Sequence, residues 1–178
     1  MKKMLGEERR LQLLAQLRNS HTPITGTDLA KFANVSRQVI VNDMTLLKAR
    51  NEPIMATSQG YLYMHQEQLQ QTVERTIPCL HSAEDTEDEL VTIVDCGGTV
   101  KNVIVEHPIY GEITASLMVS NRHEVKAFVQ RVNETQASYL SELTGGVHLH
   151  VISAPSASIL DLIERSLLEK GYLITDKT

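Results

Sequence analysis

The chain has 178 residues, of which 42% are hydrophobic and 22% charged, the ordinary composition of a soluble globular protein. It contains no apolar run near the roughly 20 residues of a membrane span, and its N-terminus lacks the apolar core of a signal peptide, so we expect no membrane partner. Trp is absent and only 4% of the residues are aromatic, which argues against a stacking platform for single-stranded nucleic acid. The two cysteines, Cys79 and Cys96, lie far apart, and we expect reduced thiols in a cytoplasmic protein.

The net charge of −5 is distributed unevenly along the chain. Residues 1–64 contain nine Lys and Arg against five Asp and Glu, whereas residues 65–178 contain eight against seventeen. This asymmetry predicts two domains with different partners, the first of them compatible with a polyanion. We place the first domain at 1–64, a linker at 65–80 and the second domain at 81–178.

The first 64 residues predict a winged helix-turn-helix domain. An amphipathic helix over residues 7–19 precedes a short helix whose N-cap is Thr25 or Thr27. After a turn at Asn34-Val35, a longer helix begins with Ser36 as its N-cap, and a hairpin turned at Gln59-Gly60 forms the wing. On the longer helix we expect the buried side to contain Val39, Ile40, Val41, Met44 and Leu47.

The start of that longer helix carries the side chains suited to the DNA major groove. In this motif the N-terminal part of the second helix of the pair contacts base edges, where Arg suits guanine and Gln or Asn suits adenine. A plain helical bundle, or a helix-turn-helix that binds only protein, would carry similar polar residues, but the wing and the local positive charge favour double-stranded DNA. The expected contacts are Ser36, Arg37, Gln38, Asn42 and Thr45 at the bases, and Lys48, Arg50, Thr57 and Ser58 at phosphates.

The second half predicts an α+β domain, with helices on one face of a small, mainly antiparallel sheet. Its order is helix, two strands, helix, one or two strands, and helix. The expected elements are a helix from Ala83 to Gly97-Gly98, strands at 99–106 and 112–119, a helix at 121–133, a strand pair at 139–143 and 147–152, and a helix at 156–170.

Two histidines in this half have the spacing of metal ligands. On a strand, His148 and His150 share one face and lie about 6–7 Å apart, so their rings can converge on one ion. His81 and Glu89 would complete a set of three imidazoles and one carboxylate. From spacing alone the structural alternative is equally open, because Thr86-x-x-Glu89 matches a capping box and His81 can be a polar loop residue. Cys79 offers a thiolate as a minor option.

At this point the residues resemble a known family, the nicotinate-responsive transcriptional repressors of bacteria, which join a helix-turn-helix domain to a three-histidine (3H) domain. The resemblance covers nearly the whole chain. It rests on VSRQVIVNDMTLL, MATSQGYLY, VIVEHPIYGEI, LTGGVHLHVISAP, and His81 before a helix that bears ELV.

The resemblance implies that the second domain has a fold like that of the histidine phosphocarrier protein and binds a divalent transition metal. Ni, Zn, Fe and Mn all suit imidazole and carboxylate ligands. It also implies that a homodimer binds a palindromic operator and represses genes of niacin uptake and NAD synthesis, with nicotinic acid as co-repressor. The implied metal ligands are His81, Glu89, His148 and His150.

The effector contacts are less constrained by the sequence. His107 and Tyr110 flank a turn and are natural hydrogen-bond partners for a small aromatic acid, and Arg122 is a candidate cation for its carboxylate. The ring nitrogen or the carboxylate could instead complete the coordination of the metal. Three alternatives stay open: a repressor that senses the metal alone, a repressor that senses nicotinamide, and a metal-dependent enzyme that uses the His-x-His strand.

Overall fold

The computed structural model describes residues 6–65 and 72–175. The chain divides into two compact units, residues 1–69 and 70–178. In the first unit the helices are α1 (Gly6–Arg18), α2 (Gly26–Ala33) and α3 (Arg37–Ala49), and the strands are β1 (Ile54–Thr57) and β2 (Gly60–Tyr63).

The helix starts of the first unit follow their capping residues. Thr25, rather than Thr27, caps α2 by accepting a hydrogen bond from Asp28 N, and Ser36 caps α3 by accepting one from Val39 N. Asn34 adopts the left-handed conformation (φ 51°) that ends α2 and turns the chain toward α3. The predicted order of helix, turn, helix and hairpin is confirmed.

The core of this unit is an apolar cluster crossed by one buried ion pair. Its buried members come from all three helices and β1: Leu13, Leu14, Leu17, Leu29, Ala30, Ala33, Ile40, Met44, Leu47 and Ile54. Asp43 of α3 is only 2% exposed and accepts hydrogen bonds from Arg9 Nε at 2.6 Å and Arg10 Nη1 at 3.3 Å. The pair fixes α3 against α1, because an unpaired buried carboxylate would be strongly unfavourable.

The second unit is a four-stranded antiparallel sheet in the order β3-β6-β4-β5. Its apolar core contains alternate residues of all four strands together with residues from each of its helices, so the helices cover one face of the sheet. The elements are β3 (Val73–Leu80), a 3-10 helix (Ala83–Asp85), α4 (Thr86–Asp95), β4 (Thr99–His107), β5 (Gly111–Val119), α5 (Arg122–Thr135), a second 3-10 helix (Leu140–Thr144), β6 (Val147–Ala154) and α6 (Ala157–Glu169). The predicted α+β class is confirmed.

Two sequence expectations are wrong in this unit. The linker predicted at 65–80 does not extend through Val73–Leu80, which form edge strand β3 of the sheet, and residues 66–71 lie outside the described residues. The strand predicted at 139–143 is instead the 3-10 helix Leu140–Thr144. Glu142 Oε2 accepts a hydrogen bond from Tyr139 N at its start, and Gly145 ends it in the left-handed conformation (φ 63°).

Candidate metal centre and DNA-binding helix

The His-x-His pair lies at the middle of the sheet, on its covered face. His148 and His150 of β6 are 2% and 3% exposed. β6 is an interior strand, so His148 has Cys79 of β3 as its direct neighbour, and His150 lies between Ile77 and Val103 of the flanking strands. The fully buried Glu89 of α4 faces them.

Glu89 joins all three histidines into one cluster. Its Oε2 lies 2.8 Å from His81 Nε2 and 3.3 Å from His150 Nε2, and its Oε1 lies 3.3 Å from His148 Nε2. The ring centroids of His81 and His148 are 4.9 Å apart, and those of His148 and His150 are 4.8 Å apart. The four residues predicted as metal ligands are therefore brought together.

The opposite ring nitrogens fix the orientation of the imidazoles. Each Nδ1 donates to a main-chain carbonyl, at Ser82, Gly146 or Asn102, over 2.7–2.8 Å. Carbonyl oxygens only accept, so in each neutral ring the lone pair lies on Nε2 and points at Glu89. This is the outer-shell arrangement of metal-binding histidines, whose second nitrogen donates to a carbonyl or carboxylate.

A cation is needed to balance this set of donor atoms. Three imidazole lone pairs and one carboxylate converge, and the His81 side chain, 2% exposed, makes no hydrogen bond through Nε2 although Glu89 lies 2.8 Å away. Without a metal, protons take that role. Burial raises the pKa of Glu89, but the neighbouring imidazoles hold it well below its usual value. Burial lowers the pKa of His81 and His150, but Glu89 raises both above the usual value.

Gly146 allows the chain to approach His81. A Cβ atom on Gly146 (φ 96°) would lie 2.2 Å from the carbonyl oxygen of His81, closer than any side chain tolerates. The same glycine provides the carbonyl that orients His148. Gly146 therefore holds two of the three histidine segments in place.

The capping-box alternative for Glu89 is wrong. Thr86 is the first residue of α4 rather than its N-cap, and Asp85, which takes that place, makes no side-chain capping bond. The hydroxyl of Thr86 is buried and has no hydrogen-bond partner among the described residues. A sequence signal for the inward position of Glu89 exists, because it lies one turn before the buried Ile93 on the same helix face.

On α3 the exposed face carries the residues expected to contact DNA. Ser36, at its N-cap, and Arg37, Gln38, Asn42, Thr45 and Lys48 are all exposed. Gln38 Nε2 donates to Asn42 Oδ1 at 3.3 Å, which links the amides of two residues on consecutive turns that are expected to contact bases. Thr45 donates its hydroxyl to the Val41 carbonyl at 2.9 Å.

Val41 is a surface residue that sequence reasoning placed in the core. It is 37% exposed and lies on the same face as Gln38, Asn42 and Thr45. The hydrophobic pattern of the helix is satisfied by Ile40, Met44 and Leu47, which leaves Val41 as an apolar position within a polar face.

Comparison with known proteins identifies both units. Residues 9–62 match the HTH domain family and residues 74–176 match the 3H domain family. The chain is 54% identical to the transcription repressor NadR of Bacillus subtilis over 98% of this chain and 97% of that protein. It is 38% identical to the probable transcription repressor NiaR of Thermotoga maritima, over 98% of each chain. The chain belongs to the NadR/NiaR family of transcription repressors.

This NadR/NiaR-family repressor is thus a DNA-binding regulator rather than an enzyme, which removes the enzyme alternative. Within residues 6–65 and 72–175, no helix combines the length and apolarity required to cross a bilayer.

The residues of the repressor predicted to hold an effector do not form one site. His107 and Tyr110 lie at the β4–β5 turn, where His107 Nδ1 accepts from Ile109 N at 3.2 Å and Tyr110 N at 3.3 Å. Arg122 begins α5 and is paired with Asp95, with Arg122 Nε 2.7 Å from Asp95 Oδ1. The hairpin runs from the His107–Gly111 pair to the Val100–Val119 pair, about 20–25 Å away, so one small ligand cannot contact both ends.

A different cavity adjoins the histidine cluster. Its volume is about 30 Å³, which is room for one or two water molecules. One wall contains the cluster and the Thr86 hydroxyl, and another contains the rings of Phe128 and Tyr139, whose centroids are 6.0 Å apart. The full lining is His81, Thr86, Glu89, Leu90, Val103, Leu117, Phe128, Tyr139, Leu140, Ser141, His148 and His150.

Proposed function

We propose that this chain is a cytoplasmic repressor of genes for niacin uptake and NAD synthesis, that it binds operator DNA as a homodimer, and that nicotinic acid is its co-repressor. Its 3H domain would bind one divalent transition metal, Ni, Zn, Fe or Mn, through His81, Glu89, His148 and His150. The observation that carries the proposal is the convergence of three Nε2 atoms on the Glu89 carboxylate, each ring held by a main-chain carbonyl. When bound, the metal supplies a fixed positive charge and can accept an exogenous ligand.

The cavity beside the cluster supports a binding site for a small aromatic acid. Phe128 and Tyr139 offer ring faces, and the free Thr86 hydroxyl offers a hydrogen bond close to the cluster. The cavity is too small for a pyridine carboxylic acid, so binding requires Phe128 and Tyr139 to move outward. Both residues are only partly buried. Phe128 lies on α5 and Tyr139 precedes the second 3-10 helix, so these two elements would move when the effector binds.

In α3, the helix expected to enter the major groove, some positions suit contacts with bases and others suit contacts with phosphates. Arg37 suits a guanine, and Gln38 with Asn42 suits an adenine. The hydroxyl of Thr45 donates a hydrogen bond to the Val41 carbonyl. The methyl group of Thr45 and the side chain of Val41 therefore form an apolar surface suited to thymine methyl groups. Lys48 is exposed at the C-terminal end of α3, where it suits phosphate, and Ser36 lies at the N-terminal end beside the base-reading positions. A dimer would place two such helices in successive major grooves of a palindrome.

The effect of nicotinic acid on repression follows from linkage. The effector can shift DNA binding only by the difference between its affinities for the two states of the repressor. Such coupling is typically about 1–3 kcal/mol, or roughly 5- to 150-fold in operator affinity.

A second candidate function is a repressor for which the metal itself is the signal. The small volume of the cavity supports it, because about 30 Å³ admits water as a further metal ligand but no aromatic ring without rearrangement.

Unfolding of the full chain separates these functions. Metal-loaded and chelator-stripped protein would be heated with nicotinic acid or nicotinamide. A ligand present at about 100 times its Kd should raise the free energy of unfolding by roughly 2.7 kcal/mol. We expect nicotinic acid, but not nicotinamide, to stabilise the metal-loaded protein against unfolding and to have no effect on the stripped protein. The substitution His150→Gln should abolish this stabilisation. His107→Gln, at an exposed turn, is the matched control. Stabilisation by metal with no response to either pyridine would establish the metal sensor, and loss of the response in the His107 variant would move the effector to the hairpin.

A further inference from the structure

Cys79 is a buried thiol beside the histidine cluster. It lies on β3 directly opposite His148 and is 0% exposed. Its Sγ atom, one carboxylate oxygen of Glu89 and one ring nitrogen of His148 all lie within 4.8 Å of one another. Sγ is also 3.9 Å from the Ile77 carbonyl oxygen, a weak contact for a thiol.

These distances exceed those of atoms that share one ion by at most about 1 Å. Zinc binds sulfur at about 2.3 Å and imidazole nitrogen at about 2.0–2.1 Å in a tetrahedral site, so two such ligands are about 3.6 Å apart. A small inward movement of the side chains would therefore bring Sγ, Glu89 and His148 onto one ion. Cys79 belongs to the apolar core of the unit, but it also faces a carboxylate and an imidazole, which a cysteine that only fills the core does not require.

A second observation, independent of the thiol, points to a ligand at the same place. The Nε2 atom of His81 makes no hydrogen bond among the described residues, although its side chain is only 2% exposed, and this atom points into the cluster. Because Cys79 and His81 are two positions apart at the end of β3, the backbone carries both toward Glu89.

We propose that Cys79 is a ligand of the metal in the 3H domain, which gives the centre nitrogen, oxygen and sulfur donors together. This inference rests on the metal site of the proposed function and adds a residue to it. On coordination the S–H bond is replaced by a bond from sulfur to the metal, and the proton leaves to solvent.

A thiolate changes which metals the centre retains. Sulfur is a soft donor that favours nickel, cobalt and zinc, whereas a site of imidazole and carboxylate alone also accommodates manganese. We therefore expect Cys79→Ser to lower the affinity for zinc and cobalt by at least tenfold and to leave manganese binding within about threefold.

Absorption spectroscopy of the cobalt-loaded full chain tests the proposal. The protein would be stripped with chelator, loaded with one equivalent of Co²⁺ and compared with Cys79→Ser and with Cys96→Ser. Cys96 is a matched control, because it lies at the other end of α4, about 10 Å along the helix from Glu89, with Sγ 3.7 Å from Ser166 Oγ. We expect a near-ultraviolet sulfur-to-cobalt charge-transfer band in wild type and Cys96→Ser and its loss in Cys79→Ser, with visible cobalt bands present in all three.

X-ray absorption of the zinc-loaded wild type needs no variant and should show one sulfur neighbour at about 2.3 Å. It decides the question even if Cys79→Ser fails to fold. Metal bound at one equivalent with neither a charge-transfer band nor a sulfur neighbour would overturn the role of Cys79 while leaving the metal site intact. Failure of the wild type to bind metal would overturn both.

Discussion

Replacing Glu89 by Gln removes the charge that the three imidazoles share while keeping the size of the side chain. At an effective dielectric constant of about 20, a carboxylate and an imidazolium 3.3 Å apart attract by about 5 kcal/mol before desolvation is subtracted. Breaking a buried pair by removing one partner typically costs about 3–5 kcal/mol. We expect Glu89→Gln to lower the free energy of unfolding of chelator-stripped protein at pH 6 by about 3 kcal/mol, the lower end of this range, because the unpaired histidines can lose their protons.

The pH dependence of this loss tests the cause. The pKa values of His81 and His150 are raised in the folded protein, so their stabilisation is complete below about 6.5 and is lost as the pH rises through the raised values. The pKa of Glu89 is lowered, so its contribution is present above about 4.5 and is lost only as the pH falls through the lowered value. Between pH 6 and 9, therefore, the stabilisation from His81 and His150 is lost while the contribution of Glu89 stays constant, and the effect of Glu89→Gln should shrink to about 1 kcal/mol.

Urea unfolding of wild type, Glu89→Gln and Glu87→Gln at both pH values provides the measurement. Glu87 is exposed in the same first turn of α4, so its substitution removes the same charge from the helix without touching the cluster. Metal-loaded wild type should keep its advantage at pH 9, because the ion rather than protons balances the carboxylate. Equal losses in the two variants, or a loss in Glu89→Gln that does not change between pH 6 and 9, would refute the reasoning.

Four further substitutions probe the rest of the molecule. In fluorescence-anisotropy titrations, Arg37→Ala should relax sequence preference whereas Lys48→Ala should weaken binding to operator and random DNA alike, and equal effects of the two would contradict their separate roles. Asp43→Asn should destabilise the helix-turn-helix unit by about 3 kcal/mol in calorimetry, because the buried carboxylate then no longer balances the charges of Arg9 and Arg10, and an unchanged transition would exclude a stabilising role for Asp43. Phe128→Ala should weaken nicotinic acid binding at least tenfold in calorimetric titrations without changing metal affinity, and a parallel loss of metal would instead indicate general disruption of the unit.

Residue patterns with a fixed period were enough to predict most of the histidine cluster. The alternation of a strand puts His148 and His150 on one face, and the family resemblance adds His81 and Glu89. What the pattern could not decide was the role of Glu89, since a capping box and a buried ligand require the same residue at the same distance from Thr86. The choice depends on the backbone conformation of Asp85, which is helical (ψ −6°) rather than extended as an N-cap requires.

Other errors arise where tertiary contacts decide. The linker was predicted to run to residue 80, but its last residues form an edge strand, where a proline such as Pro78 is tolerated, and Ile77 and Cys79 on either side of it are fully buried. Effector contacts were predicted at the turn of His107 and Tyr110 because this turn concentrates polar and aromatic groups. Only the register of the hairpin, a long-range property, shows that Arg122 lies at its opposite end.

The three imidazoles of the candidate metal centre are oriented by peptide carbonyls, and this affects which mutations the site tolerates. A carbonyl is present whatever side chain its residue bears, so exchange of Ser82 or Asn102 leaves the hydrogen bond to its histidine available. Gly146 is the exception, because any larger residue would collide with the His81 carbonyl. In a genetic screen for constitutive derepression, variants with a folded but unresponsive 3H domain should therefore concentrate at the donors and at Gly146 and be scarce at Ser82 and Asn102. The backbone fold therefore sets the orientation of the three imidazoles, and most mutations of neighbouring side chains leave that orientation unchanged.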